Sequence, residues 1–556
     1  MAGFFCYFWK QMWSRLAAVA AVAAVLAAQY PPDPSARGSI SGRVVHYETG
    51  RPIPRVQVIL QPVSAETSPM AATTARDGRF RFRRLPSGYY SIRAQHAGYL
   101  PATFAQTEFT RLPYVFGLMP GEKLDNIVIR LRPAGVISGR VEFGDGEPAV
   151  GVPVQFYREY FFRGRHGFQL AGTARTDDRG LYRIYGLPPG RYYIVAAYSP
   201  PSPGPGVREQ RPVGEDGRPL PEERFVTTYY PSTHRMIEAA PVRLRRSEQL
   251  DHIDITLVRA RVARIRGQVV SAVTGDVLMG SDVRLRQPSP VADVLVDAPA
   301  SVRPQPDGGF EITGVTPGSY LVVVNAHENG VRLTARAPVT VAGADVENFS
   351  ITAEPYRALT GRVVSDDAID FPLSLFRVTL EPASDSVPAT SASVDEEGRF
   401  EVEFVPGETY EVFLLDGPPD VYLESARIGG FDVLRTGFQA ETGNLPPMEL
   451  RFSTKGAVVR GEVADSATKV ALGATVALVP DPARGRIQYF KITTTDAYGI
   501  YEFRGVAPGR YTLLAWWDEP PCEVYDIESL EACREAGKSI EVRQGESQLI
   551  NLAVSR

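Results

Sequence analysis

The sequence predicts an all-β fold, a tandem array of about five antiparallel β-sandwiches of the prealbumin-like or immunoglobulin-like kind after a signal peptide. Three observations predict it. A block of strand-forming residues recurs five times, each copy alternates apolar and polar residues, and turn residues stand at matching places between the strands. At 556 residues the chain is also too long for one hydrophobic core, since single cores stop growing at about 250–300 residues.

Each repeat opens with a strand that has a glycine near its centre. The copies read SISGRVV, VISGRVE, RIRGQVV, ALTGRVV and VVRGEVA, and the repeats close with the alternating strands NIVIRL, HIDITL, NFSIT, PMELRF and LINLAV. The second repeat is the longest and carries a Pro-rich insertion, SPPSPGPG. These limits predict five β-sandwich domains, called the first to fifth repeats below, at residues 36–133, 134–259, 260–354, 355–452 and 453–556.

A second block in each repeat predicts a turn between two strands. In the first copy, DGRFRFRRLPSGYYSI, Asp77 and Gly78 have hairpin-turn chemistry, and the following strand alternates phenylalanine with arginine. Later Pro-Gly pairs predict type II turns. A tyrosine 12 residues after each turn glycine predicts a ring in the core and a hydroxyl bonded near the turn. The glycine and tyrosine pairs are Gly78/Tyr90, Gly180/Tyr192, Gly308/Tyr320, Gly398/Tyr410 and Gly499/Tyr511.

The first 28 residues are typical of a secretory signal peptide. Lys10 and Arg15 precede an apolar run at residues 16–28 that ends in small residues. The run is shorter than the roughly 20 residues that a membrane-spanning helix needs. We expect cleavage after Ala27 or Ala28, an exported protein (periplasmic, cell-surface or secreted) and no membrane span after cleavage. A retained, uncleaved anchor is the alternative.

With these blocks in place, the chain resembles the carboxypeptidase regulatory-like domain, a transthyretin-like sandwich with a carbohydrate-binding-like fold. It is also similar to Cna-B-type sandwiches. The segment FVTTYYPSTHRMIEAAPVRL and the last copy resemble tandem-domain exported proteins of acidobacteria. The resemblance implies a scaffold, an adhesin module or a sugar binder. The Lys–Asn cross-link of Cna-B-type domains is not carried over, and Lys455 with Asn551 is the one pair left open.

The sequence offers no catalytic machinery, so we expect no enzyme, no cofactor and no metal site. None of the six histidines stands in HExxH or HxxE, and the chain has no GxSxG, P-loop or GxGxxG motif. The acidic groups Asp177-Asp178 and Asp395-Glu396-Glu397 fit turn chemistry better than the spaced ligands that calcium needs. A net charge of −4 argues against nucleic acid as a partner.

Two cysteines follow the leader, and both lie in the fifth repeat. Cys522 and Cys533 flank a segment of ten residues, and an exported pair so close together favours a disulfide. A metal or redox role would need further ligands. We therefore predict a Cys522–Cys533 bridge.

Aromatic clusters are the candidate ligand-binding residues. One cluster lies in the second repeat and includes Tyr157, and the other lies in the fifth repeat. Aromatic faces suit stacking on a sugar or a proline-rich ligand. The alternative is that each cluster covers the open end of its own domain, with one of the two adjacent tryptophans in the core. The predicted ligand-binding residues are Tyr229, Tyr230, Tyr160, Phe161, Trp516, Trp517 and Tyr525.

Two classes of function follow from these expectations. The first is a non-catalytic exported binding protein with a polysaccharide ligand. The second is a structural spacer, or an assembly or adhesion module that contacts another envelope protein. An exposed aromatic platform would favour the first, and smooth charged faces with blunted sheet edges would favour the second.

Overall fold

The structure is a computed structural model that describes most of the chain. It contains two compact units, which divide between Pro133 and Ala134. Side chains are not described at positions 126, 161, 162, 165 and 166. The described residues are 37–47, 49–63, 68–104, 115–162, 165–198, 222–245, 247–291, 294–384, 386–441, 443, 445–464, 474–482, 487–496, 499–516 and 534–554.

In the unit that ends at Pro133, the strands form two sheets. One has the order β4-β1-β8, and the other has the order β3-β2-β5-β6 with β7 beside β5. Arg79–Leu85 shows the predicted alternation, because its phenylalanines are buried and its arginines are exposed. The strands are β1 Gly38–His46, β2 Gln57–Pro62, β3 Met70–Thr73, β4 Arg79–Leu85, β5 Gly88–Gln95, β6 Ala102–Thr103, β7 Phe116–Leu118 and β8 Lys123–Leu131.

The second and third repeats begin the unit that starts at Ala134. In the second repeat the strands are β9 Gly135–Glu142, β10 Pro153–Phe162, β11 Arg165–Arg175, β12 Leu181–Leu187, β13 Gly190–Ala196, β14 Glu222–Phe225, β15 Thr228–Tyr229, β16 Val242–Leu244, β17 Gln249–Leu250 and β18 Ile255–Thr256, with a 3-10 helix, η1, at Met236–Glu238. In the third repeat they are β19 Arg259–Ser271, β20 Asp282–Pro288, β21 Leu295–Asp297, β22 Ser301–Pro304, β23 Gly309–Val315, β24 Gly318–Glu328, β25 Val331–Val341 and β26 Val346–Pro355.

The fourth and fifth repeats complete this unit. The fourth has β27 Arg357–Val364, η2 Leu373–Leu375, β28 Arg377–Pro382, β29 Thr390–Ser393, β30 Arg399–Phe404, β31 Thr409–Leu415, β32 Tyr422–Ile428, β33 Phe431–Asp432, β34 Phe438–Gln439 and β35 Met448–Ser453. The fifth has β36 Ala457–Ala464, β37 Thr475–Asp481, η3 Ile487–Tyr489, β38 Lys491–Thr494, β39 Ile500–Val506, β40 Gly509–Trp516, β41 Lys538–Val542, β42 Ser547–Leu549 and β43 Leu552–Ala553.

The all-β fold class is confirmed, with one difference from a purely antiparallel sandwich. In every repeat the first strand pairs antiparallel with the strand after the turn glycine and parallel with the last strand, as β1 does with β4 and β8. A parallel pair needs a long crossover connection, and the rest of each repeat supplies it. In the third repeat the two layers join into one nine-stranded sheet, because β26 also pairs with β25.

The repeated turn has the predicted conformation at its glycine. The five turn glycines have φ between 73° and 84°, the left-handed region that favours glycine. The tyrosines that follow are 8% exposed or less. The hydroxyl of Tyr90 donates to the Pro86 carbonyl at 2.8 Å, and three later copies repeat this bond, while Tyr410 accepts instead from the Val405 N–H. The predicted structural role of the tyrosines is confirmed.

The prediction of type II turns at the four Pro-Gly pairs was wrong for three of them. The φ angles of Gly190 and Gly509 are 155° and 150°, far from the value of about 80° that a type II turn needs, and the φ angle of Gly318 is not positive, whereas Gly407 has the required φ of 80°. The first three glycines instead begin a strand, where Gly190 pairs with Leu244, Gly318 pairs with Val341 and Gly509 pairs with Val542.

Polar contacts join successive repeats within the unit that starts at Ala134. The second repeat also contributes β14 to the sheet of the third, where β14 pairs with the start of β19. The buried core residues of the second, third, fourth and fifth repeats form four separate hydrophobic clusters. The division into five independent domains stays a prediction. The ion pairs between successive repeats are Arg261–Glu223 at 3.3 Å, Arg332–Glu403 at 2.6 Å, Arg336–Glu408 at 2.7 Å, Lys455–Asp367 at 2.5 Å and Arg504–Asp420 at 2.7 Å.

Candidate functional site

The candidate site lies on one face of the sheet that contains β10 and β13 of the second repeat, and both faces of this sheet are covered by other residues. In β10, Val154 and Phe156 point into the core of the second repeat, while Tyr157 lies on the opposite face. In β13, the neighbouring Tyr192 and Tyr193 are both buried, although adjacent residues of a strand point to opposite faces. The outer face of this sheet is therefore also packed.

The cover on this outer face comes from the next repeat. The hairpin of β20 and β21 pairs Arg286 with Asp297, and Val296 packs against Tyr193 and its neighbours. Between the sheet and the hairpin lies a cleft of about 610 Å³, within the range of about 300–1,000 Å³ that is usual for small-molecule sites. Its main lining residues are Gln155, Tyr157, Tyr160, Phe168, Val195, Thr227, Tyr229, Met236, Arg286 and residues 294–299.

Aromatic rings form the wall that belongs to the second repeat. Tyr160 pairs with Gly167 across the β10–β11 hairpin, and its ring lies over the space that a side chain at Gly167 would occupy. Phe168 meets Tyr193 edge-on, with ring centroids 5.2 Å apart. Tyr160 is 38% exposed, so its ring is accessible to a ligand, whereas Tyr157 and Phe168 are half-buried.

Polar groups lie on both walls of the cleft. The Arg286 Nε lies 3.4 Å from a carboxylate oxygen of Asp297, and the same guanidinium donates to the Leu295 carbonyl. The Gln287 amide donates to the Tyr229 hydroxyl at 2.8 Å and thereby joins the third repeat to the second. Burial raises the pKa of Tyr229 well above its usual value, so the hydroxyl stays protonated.

Two of the predicted ligand-binding residues line this cleft. Tyr160 is at its accessible part, and Tyr229 is 4% exposed and contributes to its floor. Tyr230 does not line it, because adjacent strand residues point to opposite faces and Tyr230 packs against the core of the second repeat. The backbone of Phe161 lies in β10, and its side chain is outside the described part of the structure.

The predicted aromatic site of the fifth repeat must be corrected at one residue. Trp516 is fully buried at the end of β40, so its ring is not a stacking surface for a ligand. This placement agrees with the expectation that one of the two tryptophans belongs to the core. Trp517, Tyr525 and the predicted disulfide partners Cys522 and Cys533 lie outside the described residues.

The sequence did not single out three residues of the cleft, namely Phe168, Arg286 and Asp297. Phe168 has a weak signal, since it stands on the strand that follows the aromatic run of β10. No sequence signal marks Arg286 or Asp297, because both belong to another repeat and their strands predict ordinary charged residues on a surface. Only the contact between repeats brings them to the cleft.

The other chemical predictions concern metals, cross-links and membranes. Within the described ranges, no group of three or more His, Cys, Asp or Glu side chains could hold a metal ion. The Lys455–Asn551 cross-link is contradicted, because the Lys455 ammonium pairs with Asp367 while the Asn551 side chain accepts a bond from the Glu462 N–H. None of the helices in the described residues is long and apolar enough to cross a membrane.

Comparison with known proteins finds a distant curated relative. Over 487 residues, it is 24% identical to the BOS complex subunit NOMO1 of Mus musculus, a match that covers 85% of this chain and 35% of that protein. The chain thus spans 35% of the length of the curated relative that it matches.

Two solved structures are similar at low identity. A minor pilin of Streptococcus agalactiae is 19% identical, with coverage of 40% of this chain and 95% of the pilin and a TM-score of 0.20. Two B repeat units of the collagen binding protein of Staphylococcus aureus are 12% identical, with coverage of 75% and 99% and a TM-score of 0.13. Scores this low support no argument about function. Residues 39–111, which lie in the first repeat, match the family model of carboxypeptidase regulatory-like domains.

Proposed function

We propose that this chain is a non-catalytic exported protein that binds a saccharide in the cleft between its second and third repeats. The observation that carries the proposal is the accessible Tyr160 ring beside the half-buried rings of Tyr157 and Phe168, opposite the polar Arg286–Asp297 pair. Aromatic faces bind the apolar faces of sugar rings, and a few placed polar groups fix the hydroxyls. The size of the cleft suits a short stretch of a glycan chain.

A glycan array, followed by calorimetric titration of the strongest ligand, tests this proposal. Replacing Tyr160 by Ala removes the accessible ring and is expected to weaken binding at least about fivefold, or about 1 kcal/mol, the usual value of an aromatic contact. The matched control is Tyr185→Ala. Tyr185 is 70% exposed on β12, in the other sheet of the same repeat, and its replacement should leave the affinity unchanged. Equal losses in both variants would place the site elsewhere.

A second candidate function is a structural subunit of a protein assembly. It is supported by the relative NOMO1, which is named as a subunit of a complex, and by the ion pairs that join the repeats from Ala134 onward. Repeats held by such contacts suit a spacer that keeps its partners at a set distance. An array on which no saccharide binds would favour this candidate over the first.

A further inference from the structure

The cleft carries both signs of charge, and the two charges are paired. Among its described lining residues, Arg286 and Asp297 are the ones with a formal charge, and they lie 3.4 Å apart. The side chain of Arg286 is only 17% exposed and its guanidinium also donates to the Leu295 carbonyl, so this cation is mostly buried beneath the surface of the cleft. The carboxylate of Asp297, by contrast, is 66% exposed and faces solvent at the rim.

The negative charge of Asp297 acts electrostatically on Tyr157 of the aromatic wall. Burial is the main cause that raises the pKa of Tyr157, and the Asp297 carboxylate raises it further. The Tyr157 hydroxyl donates to the Gln155 side chain at 3.2 Å, and the residues of this wall that the structure describes are neutral. A ligand that lies on the aromatic wall therefore meets an accessible anion and a cation that is mostly buried.

From this arrangement we propose that the cleft selects uncharged saccharides and rejects uronic acids, and that Asp297 determines this specificity. The proposal rests on the saccharide function proposed above. An uncharged sugar can donate hydroxyl protons to the exposed oxygens of Asp297, which are strong acceptors. A uronate would instead bring a carboxylate close to Asp297, and juxtaposed like charges at a binding surface weaken binding.

The experiment uses the full chain and matched saccharides that differ in charge. The pairs are tetragalacturonate with its methyl ester and glucuronoxylotetraose with its methyl ester, each placed on the array and then titrated in solution. We expect the uncharged member of a pair to bind at least about tenfold more tightly at low salt, with the ratio falling as salt is added. Replacing Asp297 by Asn keeps the shape and removes the charge, and it should bring the two affinities within about threefold of each other.

The control variant is Asp282→Asn. Asp282 pairs with Arg284 at 3.1 Å on the same β20 strand, is 53% exposed, and lies outside the described lining of the cleft. It should keep the preference of the unmodified chain. Because both aspartates are exposed, circular dichroism and thermal melting are expected to show that both variants fold.

The possible outcomes separate the two proposals. If no saccharide of either kind binds, the proposed function is overturned. If uronates bind as tightly as their uncharged partners, or if Asp297→Asn leaves the ratio unchanged, the saccharide function stands and the specificity proposal is overturned. If Asp282→Asn changes the ratio as much as Asp297→Asn does, the effect comes from net charge and the role of Asp297 is likewise overturned.

Discussion

The glycine at the centre of each first strand has a steric reason. A Cβ at Gly139 would lie 2.1 Å from the carbonyl oxygen of Ile253, next to the last strand of its repeat, and the corresponding distances in the other repeats are between 1.8 and 2.5 Å. An aromatic ring on the paired strand covers the glycine, as Tyr182 does in the second repeat, where its hydroxyl donates to the same Ile253 carbonyl at 2.5 Å. The ring fills the volume that the missing side chain leaves.

Replacing Gly139 by Ala is therefore expected to destabilise the second repeat by about 2–3 kcal/mol or more, the range of overpacked cores. Gly144 in the same repeat is the control, because a Cβ there meets nothing within 4 Å and its φ is not in the left-handed region. Gly144→Ala should change the stability by less than about 1 kcal/mol. Urea denaturation of both variants measures the difference, and similar losses at the two positions would contradict the steric explanation.

At the scale of elements, one carboxylate holds the connection between two strands. Asp367 follows β27 and accepts bonds from the Ser453 hydroxyl at 2.7 Å and the Thr454 N–H at 2.9 Å, where β35 ends and the chain turns toward β36. It also pairs with the Lys455 ammonium. These donors, with the Lys455 bond as the main cause, lower the pKa of Asp367 to about 2. The ionised side chain thus fixes the path from the fourth repeat to the fifth.

The lowered pKa predicts how stability depends on pH. The folded-state pKa of about 2 lies below the ordinary value of 3.8, so ionised Asp367 stabilises the fold above pH 4, and the effect is lost as the pH falls toward 2. Asp367→Asn should lower the free energy of unfolding by about 2 kcal/mol at pH 7 and by much less at pH 2. Thermal melting of both proteins from pH 7 to pH 2 measures this.

Asp416→Asn is the control for this pH series. Asp416 pairs with Arg377 at 3.0 Å, and both side chains are 56% exposed. Exposed pairs contribute about 0–1 kcal/mol, so this variant should follow the unmodified chain closely. A constant difference between Asp367→Asn and the unmodified chain at every pH would show that the Asp367 charge is not what stabilises the connection.

At the scale of the unit that starts at Ala134, the contact between the third and fourth repeats contains a buried ion pair. Glu408 is 5% exposed, pairs with Arg336 of the third repeat at 2.7 Å, and also accepts bonds from the backbone and hydroxyl of Ser384. Beside it, Arg332 pairs with Glu403 and lies over the ring of Tyr356 at 4.3 Å. A buried carboxylate with its partner inside another repeat couples the stability of the two repeats.

Removal of Arg336 tests that coupling. Arg336→Met would leave Glu408 buried without its cation, and we expect a loss of about 2–3 kcal/mol and a separation of the melting of the third and fourth repeats in calorimetry. The control is Arg377→Met, which breaks the exposed pair with Asp416 and should change stability by about 0–1 kcal/mol. Unchanged cooperativity in Arg336→Met would mean that the ion pair does not couple the repeats.

The sequence by itself determined what repeats along the chain. The strand periodicity, the turn glycines and the tyrosine at its constant interval depend on local backbone conformation and on burial within one repeat, so each copy could be interpreted without its neighbours. Tyr160 was found for the same reason, since its aromatic run stood out locally. Three of the four Pro-Gly pairs were misread because the same dipeptide can end a turn or begin a strand, and strand pairing decides between the two.

Only the tertiary structure decided which residues form a cleft. Tyr229 and Tyr230 are adjacent in sequence, yet Tyr229 faces the cleft and Tyr230 faces the core. Trp516 is buried, although it was a predicted ligand-binding residue. Arg286 and Asp297 are more than a hundred residues from Tyr160 and reach it through the packing of one repeat on the next. Such contacts depend on shape and charge across two surfaces, and no local pattern in either segment encodes them.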